Sequence, residues 1–271
     1  MNTEFAFSAP DFLRVRELIA IYAGISLHER KQNMVYNRLS RRLRATGTRT
    51  FREYLDWVEA PDSEERERFV NALTTNLTSF FREPHHFDML VSLARSRFSE
   101  NRGARLRVWS SACSSGEEAY SAAIALAETG RAAEILATDI DTEALDSARR
   151  GVYRAAALEG MAEARLRAHF LRGTGPHEGF VRVRPELCEQ VRFAQRNLLS
   201  DEWLSHERFD AIFCRNVMIY FDRPTQQKVL DRLAAVLAPR GLLFLGHSES
   251  CAAGHPAFRF SGKTAYERRE G

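Results

Sequence analysis

The 271-residue chain carries 39 Lys+Arg against 36 Asp+Glu, a formal net charge of +3, with 44% hydrophobic and 28% charged residues. That balance excludes a disordered tail protein, and no stretch reaches the roughly 20 apolar residues that a membrane-crossing helix needs. All but three of the cations (Lys31, Lys228 and Lys263) are arginine, too nearly cancelled by acids for a nucleic-acid coat, so their placement matters more than their sum.

A chain of this length can bury a full core and predicts two domains. The first eighty residues read as helices. Phe12, Val15, Leu18, Ile19 and Tyr22 recur at helical spacing; Phe51, Tyr54, Leu55 and Val58 form a later stripe, and Phe69, Leu73 and Leu77 another. Ser26 followed by Glu29 reads as a capping box before a second helix. From about residue 104 the pattern changes. Short apolar runs at 106–109, 135–138, 191–194, 211–214 and 242–245 alternate with helical stretches at 118–128, 142–149 and 224–237. Buried strands alternating with helices predict an α/β domain, a parallel sheet with helices on both faces. Residues 151–188 are too long for a normal crossover. Their turn residues, followed by Phe180-Val181-Arg182-Val183-Arg184, predict a small antiparallel insertion.

The first strand leads into Ser110-Ser111-Ala112-Cys113-Ser114-Ser115-Gly116-Glu117-Glu118 and a helix. Small residues there let backbone amides approach a ligand closely. One glycine does not make the dinucleotide fingerprint, and a plain tight turn is as good an account of the loop alone. The second strand adds to it, ending at Asp139, 23 residues past Gly116, near the spacing at which an acid meets ribose hydroxyls. Asp139 could instead cap a helix, but Asp141 or Thr142 already fills that role. The third and fourth strand ends, which also meet adenosine-type ligands, carry Asn197-Leu198 and Arg215-Asn216. The pattern favours an adenosine cofactor. Lack of a glycine pair for a pyrophosphate argues against NAD; S-adenosylmethionine needs no such cradle, only partners for an amino acid head group, which Glu117 or Glu118 and an arginine could supply.

These residues resemble the chemotaxis receptor methyltransferases (CheR type). The resemblance rests on Asn76-Leu77-Thr78-Ser79-Phe80-Phe81-Arg82-Glu83, the Trp109–Glu118 loop, Ala137-Thr138-Asp139-Ile140-Asp141, Arg172-Gly173-Thr174-Gly175-Pro176-His177-Glu178-Gly179, Phe213-Cys214-Arg215-Asn216-Val217-Met218-Ile219-Tyr220-Phe221 and Gly246-His247-Ser248-Glu249, in order along nearly the whole chain. It implies a helical domain over 1–83 that recognises the receptor. A Rossmann-like S-adenosylmethionine-dependent methyltransferase domain would follow over 84–271, with the β insertion at about 151–189. The implied reaction is O-methylation of receptor glutamates, leaving S-adenosylhomocysteine, with no metal. By matching positions, Asn76, Thr78, Arg82, Glu118, Asp139, Asn197, Leu198, Arg215 and Asn216 would bind the cofactor, and Arg82 and Tyr220 would stand beside the transferring methyl. The insertion, from Gly173 to Arg184, would dock a receptor C-terminal tail peptide.

Receptor recognition offers a role for the arginines. Eight cations and no acid lie between Arg30 and Arg52; Arg38, Arg41 and Arg42, with Lys31, share one arc of the second helix. Such runs are usually solvated faces, but the receptor helices present glutamates, so these three arginines are expected to bind substrate. His85-His86 lacks a third ligand at useful spacing and reads as a surface or helix-start pair. The cysteines at 113, 188, 214 and 251 form no CxxC pair, which predicts neither zinc nor disulfides, and residues 1–10 lack a secretory pattern, so the cytosol is the expected location; the resemblance adds association with membrane-bound chemoreceptor arrays. A nucleic-acid methylase and a non-catalytic adaptor are the alternatives. Asn216-Val217-Met218-Ile219-Tyr220 lacks the paired prolines of amino-group DNA methylases, and intact Arg82, Asp139 and Tyr220 argue against lost catalysis.

Overall fold

Ser8 opens the first helix, α1 (Ala9–Ala23), with a capping box: the Asp11 amide donates to the Ser8 hydroxyl, and the Ser8 amide to the Asp11 carboxylate. The structure, a computed structural model, describes residues 4–100, 105–131, 133–200, 206–250 and 252–270. Three more amphipathic helices follow, α2 (Gln32–Thr46), α3 (Phe51–Glu59) and α4 (Glu65–Leu73). Their apolar stripes meet in one cluster, in which Val15, Ile19, Leu39, Leu43, Tyr54, Leu55 and Phe69 are fully buried.

Two sequence expectations fail here. Ser26 does not cap α2: its amide donates to the Tyr220 carbonyl, 2.8 Å away, and the turn before α2 is capped by His28. Leu77 does not continue the α4 stripe. The chain leaves the helix at Thr74, whose hydroxyl donates to Asp141 at 2.6 Å, and Leu77 ends 80% exposed. A bond to the other domain overrides the helical period.

Helix α5 (His85–Glu100) leads into strand β1 (Leu106–Ser110), then α6 (Glu117–Ala127), β2 (Ala133–Asp139) and α7 (Thr142–Arg150). The insertion holds β3 (Val152–Arg154), α8 (Glu163–His169), β4 (Phe170–Arg172), β5 (Phe180–Val183) and α9 (Pro185–Cys188), its strands forming a separate antiparallel sheet in the order β3-β5-β4. The chain returns through β6 (Val191–Gln195), β7 (Phe209–Cys214), α10 (Arg223–Val236) and β8 (Leu237–Leu245) and ends in a hairpin, β9 (Phe258–Gly262) and β10 (Ala265–Arg268). The main sheet runs β6-β2-β1-β7-β8-β10-β9, parallel as far as β8. Its parallel strands are apolar because helices cover both faces.

The C-terminal hairpin escaped the sequence reading for a definable reason. Lys263 and Thr264, at its tip, both take positive φ (48° and 60°) without the asparagine or glycine that signals such a turn.

The helical domain is fastened to the sheet domain by named contacts. Asn71 donates to the Thr142 hydroxyl (2.9 Å), Arg68 pairs with Glu143 (2.7 Å), and Asn197 donates to the Tyr22 carbonyl (2.8 Å). Gly24 terminates α1 at φ 69°, where an added Cβ would lie 2.0 Å from Leu199 Cδ1; Gly47 has nearly the same φ, 72°, but nothing within 4 Å. Gly24→Ala is therefore expected to lower the unfolding free energy by about 1–3 kcal/mol from overpacking, beyond whatever Gly47→Ala costs. Urea unfolding midpoints of the two variants test this; equal losses would refute the packing account.

Candidate active site

The turns at the C-terminal ends of β1, β2, β6 and β7 open onto one cavity of about 420 Å³. It lies where the strand order reverses between β1 and β7, the usual ligand crevice of an open α/β sheet. Asn76, Thr78, Arg82, Glu118, Asp139, Asn197, Leu198, Arg215, Asn216 and Tyr220 all line it. So do His28, Lys31 and Met34, from the segment entering α2 and its first turn.

The floor is the loop after β1. The Ser111 amide donates to the Phe213 carbonyl and the Cys113 amide to that of Thr138, each at 2.8 Å, tying the loop to both neighbouring strands. Ser114, in left-handed backbone at φ 50°, turns its amide to the Asp139 carboxylate at 2.7 Å. The Asp141 amide takes the other Asp139 oxygen at 3.0 Å. Asp141 itself is the helix cap, accepting the Glu143 and Ala144 amides, and it also receives the Asn76 amide group at 2.6 Å. Asp139 thus keeps lone pairs for a ligand, and burial raises its pKa above the ordinary aspartate range.

Charge is concentrated on the other side. Buried Glu118 accepts the Ser110 hydroxyl at 2.7 Å and Arg215 Nη1 at 2.9 Å. Burial raises Glu118 above the usual carboxylate range, with Arg215 opposing. Arg215 Nη2 also donates to the Arg82 carbonyl at 2.5 Å and stands 3.5 Å from Glu83. Burial would raise Glu83 too, but Arg215, the His247 amide and His86 together hold it below its ordinary value. Arg82 lies between two left-handed residues, Phe81 (φ 51°) and Glu83 (φ 56°), and Asn216 is a further one at φ 58°. Strained backbone of this kind persists where the surroundings over-determine it.

Comparison with known proteins agrees with this geometry. Residues 76–266 match the family model described as "CheR methyltransferase, SAM binding domain", and residues 10–74 match "CheR methyltransferase, all-alpha domain". The chain belongs to the CheR methyltransferase family. It is 49% identical over 98% of its length, and 93% of the relative's, to the "Chemotaxis protein methyltransferase" of Escherichia coli (strain K12). To the protein of the same name in Salmonella typhimurium the identity is 50%, over 98% of this chain and 92% of the relative. To "Chemotaxis protein methyltransferase 2" of Pseudomonas aeruginosa it is 49%, over 98% and 95%.

The S-adenosylmethionine cofactor of a CheR methyltransferase fits the residues present. At the cavity wall Ser111 Oγ and Arg215 Nε are buried without a hydrogen-bond partner among the described residues; such groups are costly unless a ligand completes them. Besides His28 and Met34, sequence reasoning did not single out Ser111, at the cavity wall, or Glu249, whose carboxylate accepts the Asn216 amide. Both sit in the motifs quoted, but a run of serines gives no reason to choose one. Asp139→Asn removes one acceptor and is expected to weaken S-adenosylmethionine binding roughly 10–100-fold, as for a hydrogen bond to a charged group. The ionised carboxylate is the better acceptor, so wild-type affinity should fall as pH drops through the raised Asp139 pKa, and the variant should lose that component. Calorimetric titration at several pH values checks both.

The arginines of α2 are arranged otherwise than their sequence run implies. Arg42 makes a two-pronged bond to Glu65, both prongs 2.8 Å, to which Tyr54 also donates. Arg38 donates to the Ala72 and Thr74 carbonyls and the Thr75 hydroxyl, and Arg44 pairs with Glu4. None of Arg38, Arg41 and Arg42 lines the cavity; Arg41 is exposed, and its side chain makes no bond to the described residues.

The histidine pair lies otherwise than the sequence suggests. His86 is fully buried, and Glu83 is a third potential ligand, with one ligand atom from each of Glu83, His85 and His86 within 4.8 Å of one another. Both rings face the Lys263 carbonyl at the C-terminal hairpin (3.2 and 2.9 Å), and Arg215 stands 3.5 Å from Glu83. Of the four cysteines, Cys113, Cys188 and Cys214 form no disulfide, and Cys251 lies outside the described residues. Among the described residues no helix is long and apolar enough to cross a membrane.

Proposed function

We propose that this chain transfers the methyl group of S-adenosylmethionine to glutamate side chains of membrane chemoreceptors, releasing S-adenosylhomocysteine, in the cytosol at receptor arrays. The observation that carries this reading is the convergence of all ten positions expected at cofactor and reacting methyl on one cavity. When bound, S-adenosylmethionine supplies an electrophilic methyl on a sulfonium. Asp139 accepts the ribose hydroxyls, and Glu118, with Ser111 beside it, holds the amino acid end. Asn76, Thr78, Asn197, Leu198 and Asn216 complete the walls.

A glutamate is already ionised at neutral pH, its unperturbed pKa being about 4.3, so the site needs no general base. Its work is to desolvate the carboxylate and hold it at roughly 3–3.5 Å from the methyl carbon. Arg82 donates one Nη1 bond to the Leu77 carbonyl at 3.0 Å. Its remaining donors can orient the carboxylate without neutralising it, and the Tyr220 hydroxyl closes the rim.

The receptor contacts belong to this proposal as well. Lys31 at the cavity wall, Arg38 bonded to the lining residues Thr74 and Thr75, and exposed Arg41 offer cations to an acidic receptor surface. The outer face of the insertion carries exposed Val152, Leu171 and Phe180, with Arg182 paired across to both Val152 and Leu171. A face that is apolar and cationic at once suits a short acidic tail peptide with bulky side chains.

Incubating the chain with methyl-labelled S-adenosylmethionine, chemoreceptor membranes and DNA tests the reading. Base-labile label on the receptor is expected; label on DNA alone, or none on the receptor, would overturn it. Removing the receptor's tail should slow the reaction without abolishing it.

A further inference from the structure

We propose that Glu249 is a positioning residue for methyl transfer, its carboxylate clamping the loop after β7 in the one conformation that presents Asn216 and Tyr220 to the cavity. The proposal rests on the reading of those two residues given above.

Glu249 follows β8 and is only 3% exposed. One of its carboxylate oxygens accepts the amides of Asn216 (2.8 Å) and Gly246 (2.6 Å), and the other that of Ile219 (3.2 Å). Three backbone donors therefore depend on one side chain. Two belong to the segment whose side chains wall the cavity. Asn216 takes left-handed backbone at φ 58°, and the single turn Met218–Tyr220, whose carbonyl end Gln226 holds by donating to Met218 at 2.9 Å and Phe221 at 3.1 Å, has no other side chain at its amide end among the described residues. A carboxylate at the amide end of that turn satisfies amides of both. The fit is close: a Cβ on Gly246 would lie 2.5 Å from Asn216 Nδ2, 2.9 Å from Glu249 Oε2 and 3.0 Å from the Asn216 amide nitrogen, so a side chain there would push on the Asn216 and Glu249 side chains. From the opposite side the His247 amide donates to Glu83 at 3.3 Å. The loop at 246–249 therefore joins the segment bearing Arg82 to the segment bearing Tyr220, and Glu249 is the side chain that makes the second junction.

An amide in place of this carboxylate keeps the shape but has a single acceptor oxygen, and its NH₂ group would face a backbone donor. Glu249→Gln is expected to fold and to lower turnover at saturating S-adenosylmethionine at least about tenfold, because misplacing a site by about 1 Å can cost about 10²-fold. Cofactor affinity should fall with it, through Asn216. A purely structural role would lower the melting temperature while leaving the turnover of the folded enzyme intact.

The measurements are kcat, KM for receptor, cofactor affinity and melting temperature for Glu249→Gln, Tyr220→Phe and the double variant, assayed well below every midpoint. If Glu249 acts through the loop, its substitution costs less in the Tyr220→Phe background than in the wild type. If Tyr220→Phe is impaired while Glu249→Gln keeps turnover and affinity within twofold of wild type, the clamp is overturned and the reading of Tyr220 stands. If Tyr220→Phe matches wild type, that reading fails, and an unchanged cofactor affinity in Glu249→Gln then overturns the clamp independently. Should the amide variant not fold, Glu249→Asp, which keeps the charge one methylene short, gives the same readouts.

Discussion

Replacing Arg82 by alanine is expected to lower receptor methylation about 10–100-fold while leaving S-adenosylmethionine affinity within severalfold of wild type. A hydrogen bond to a charged group contributes about 1.5–3 kcal/mol, and a planar guanidinium is the group that fixes a carboxylate's direction as well as its place. The backbone makes this side chain hard to replace. Left-handed residues on both sides aim it, Arg215 holds its carbonyl, and the Phe81 amide is tied to the Ser121 hydroxyl at 2.9 Å. Arg82→Lys should therefore recover only part of the activity, since an ammonium cannot bond in the same fork. Tyr220→Phe removes one neutral hydroxyl and should cost about 2–10-fold, matching a net hydrogen bond of about 0.5–1.5 kcal/mol. Initial rates at saturating cofactor, beside calorimetric titration, separate turnover from binding. Undiminished turnover in both alanine and phenylalanine variants would remove these residues from the reaction.

How much of this was legible in the sequence depends on where each signal is stored. The parallel strands were readable because their apolarity is local and continuous; the runs at 106–109 and 191–194 are strands in the structure, longer by one residue at the C-terminal end. Part of the cavity was readable because Asp139, Asn197, Leu198, Arg215 and Asn216 stand at or just past the ends of β2, β6 and β7; Asn76, Thr78, Arg82 and Tyr220, away from strand ends, were legible only through the family motifs. Charge was not. The acid-free run from Arg30 to Arg52 looks like a local excess of eight cations, yet Arg42 and Arg44 find Glu65 and Glu4, from outside the run. A count along the chain cannot see partners brought by folding. The same holds for Ser26 and Leu77, each displaced from its helical role by a bond to the sheet domain. Glu249 shows the third kind of loss. Its sequence neighbours mark a turn, but nothing local shows that its carboxylate will receive amides from residues 33 and 30 positions earlier.

Arg215→Ala should be among the most damaging single changes in the molecule, because it strands buried acids rather than merely removing a ligand contact. Arg215 has 2% of its side chain exposed and serves Glu118, Glu83 and the Arg82 carbonyl together. Breaking a buried pair by deleting one partner typically costs about 3–5 kcal/mol, since the charge left behind has no compensation. That is a large share of a stability of about 5–15 kcal/mol. The sign of the pH dependence follows from Glu118. Burial already raises its pKa against the pull of Arg215, and without the guanidinium it rises further above the unfolded value. A raised carboxylate contributes stability below its unfolded pKa and loses it as pH climbs through the folded one. The deficit of Arg215→Ala relative to wild type should therefore be smallest in mild acid and grow toward neutral and alkaline pH. Glu118→Gln in the same chain removes the stranded charge and should recover part of the stability, but neither cofactor binding nor turnover, since the acid proposed to hold the head group and its arginine are then both gone. Urea unfolding of the single and double variants across pH measures all of this. No recovery in the double variant would show that Glu118 is not the acid whose burial Arg215 makes tolerable, and would leave Glu83, held below its ordinary pKa with the help of the same guanidinium, as the partner that matters; a pH-independent deficit would remove both carboxylates from the account.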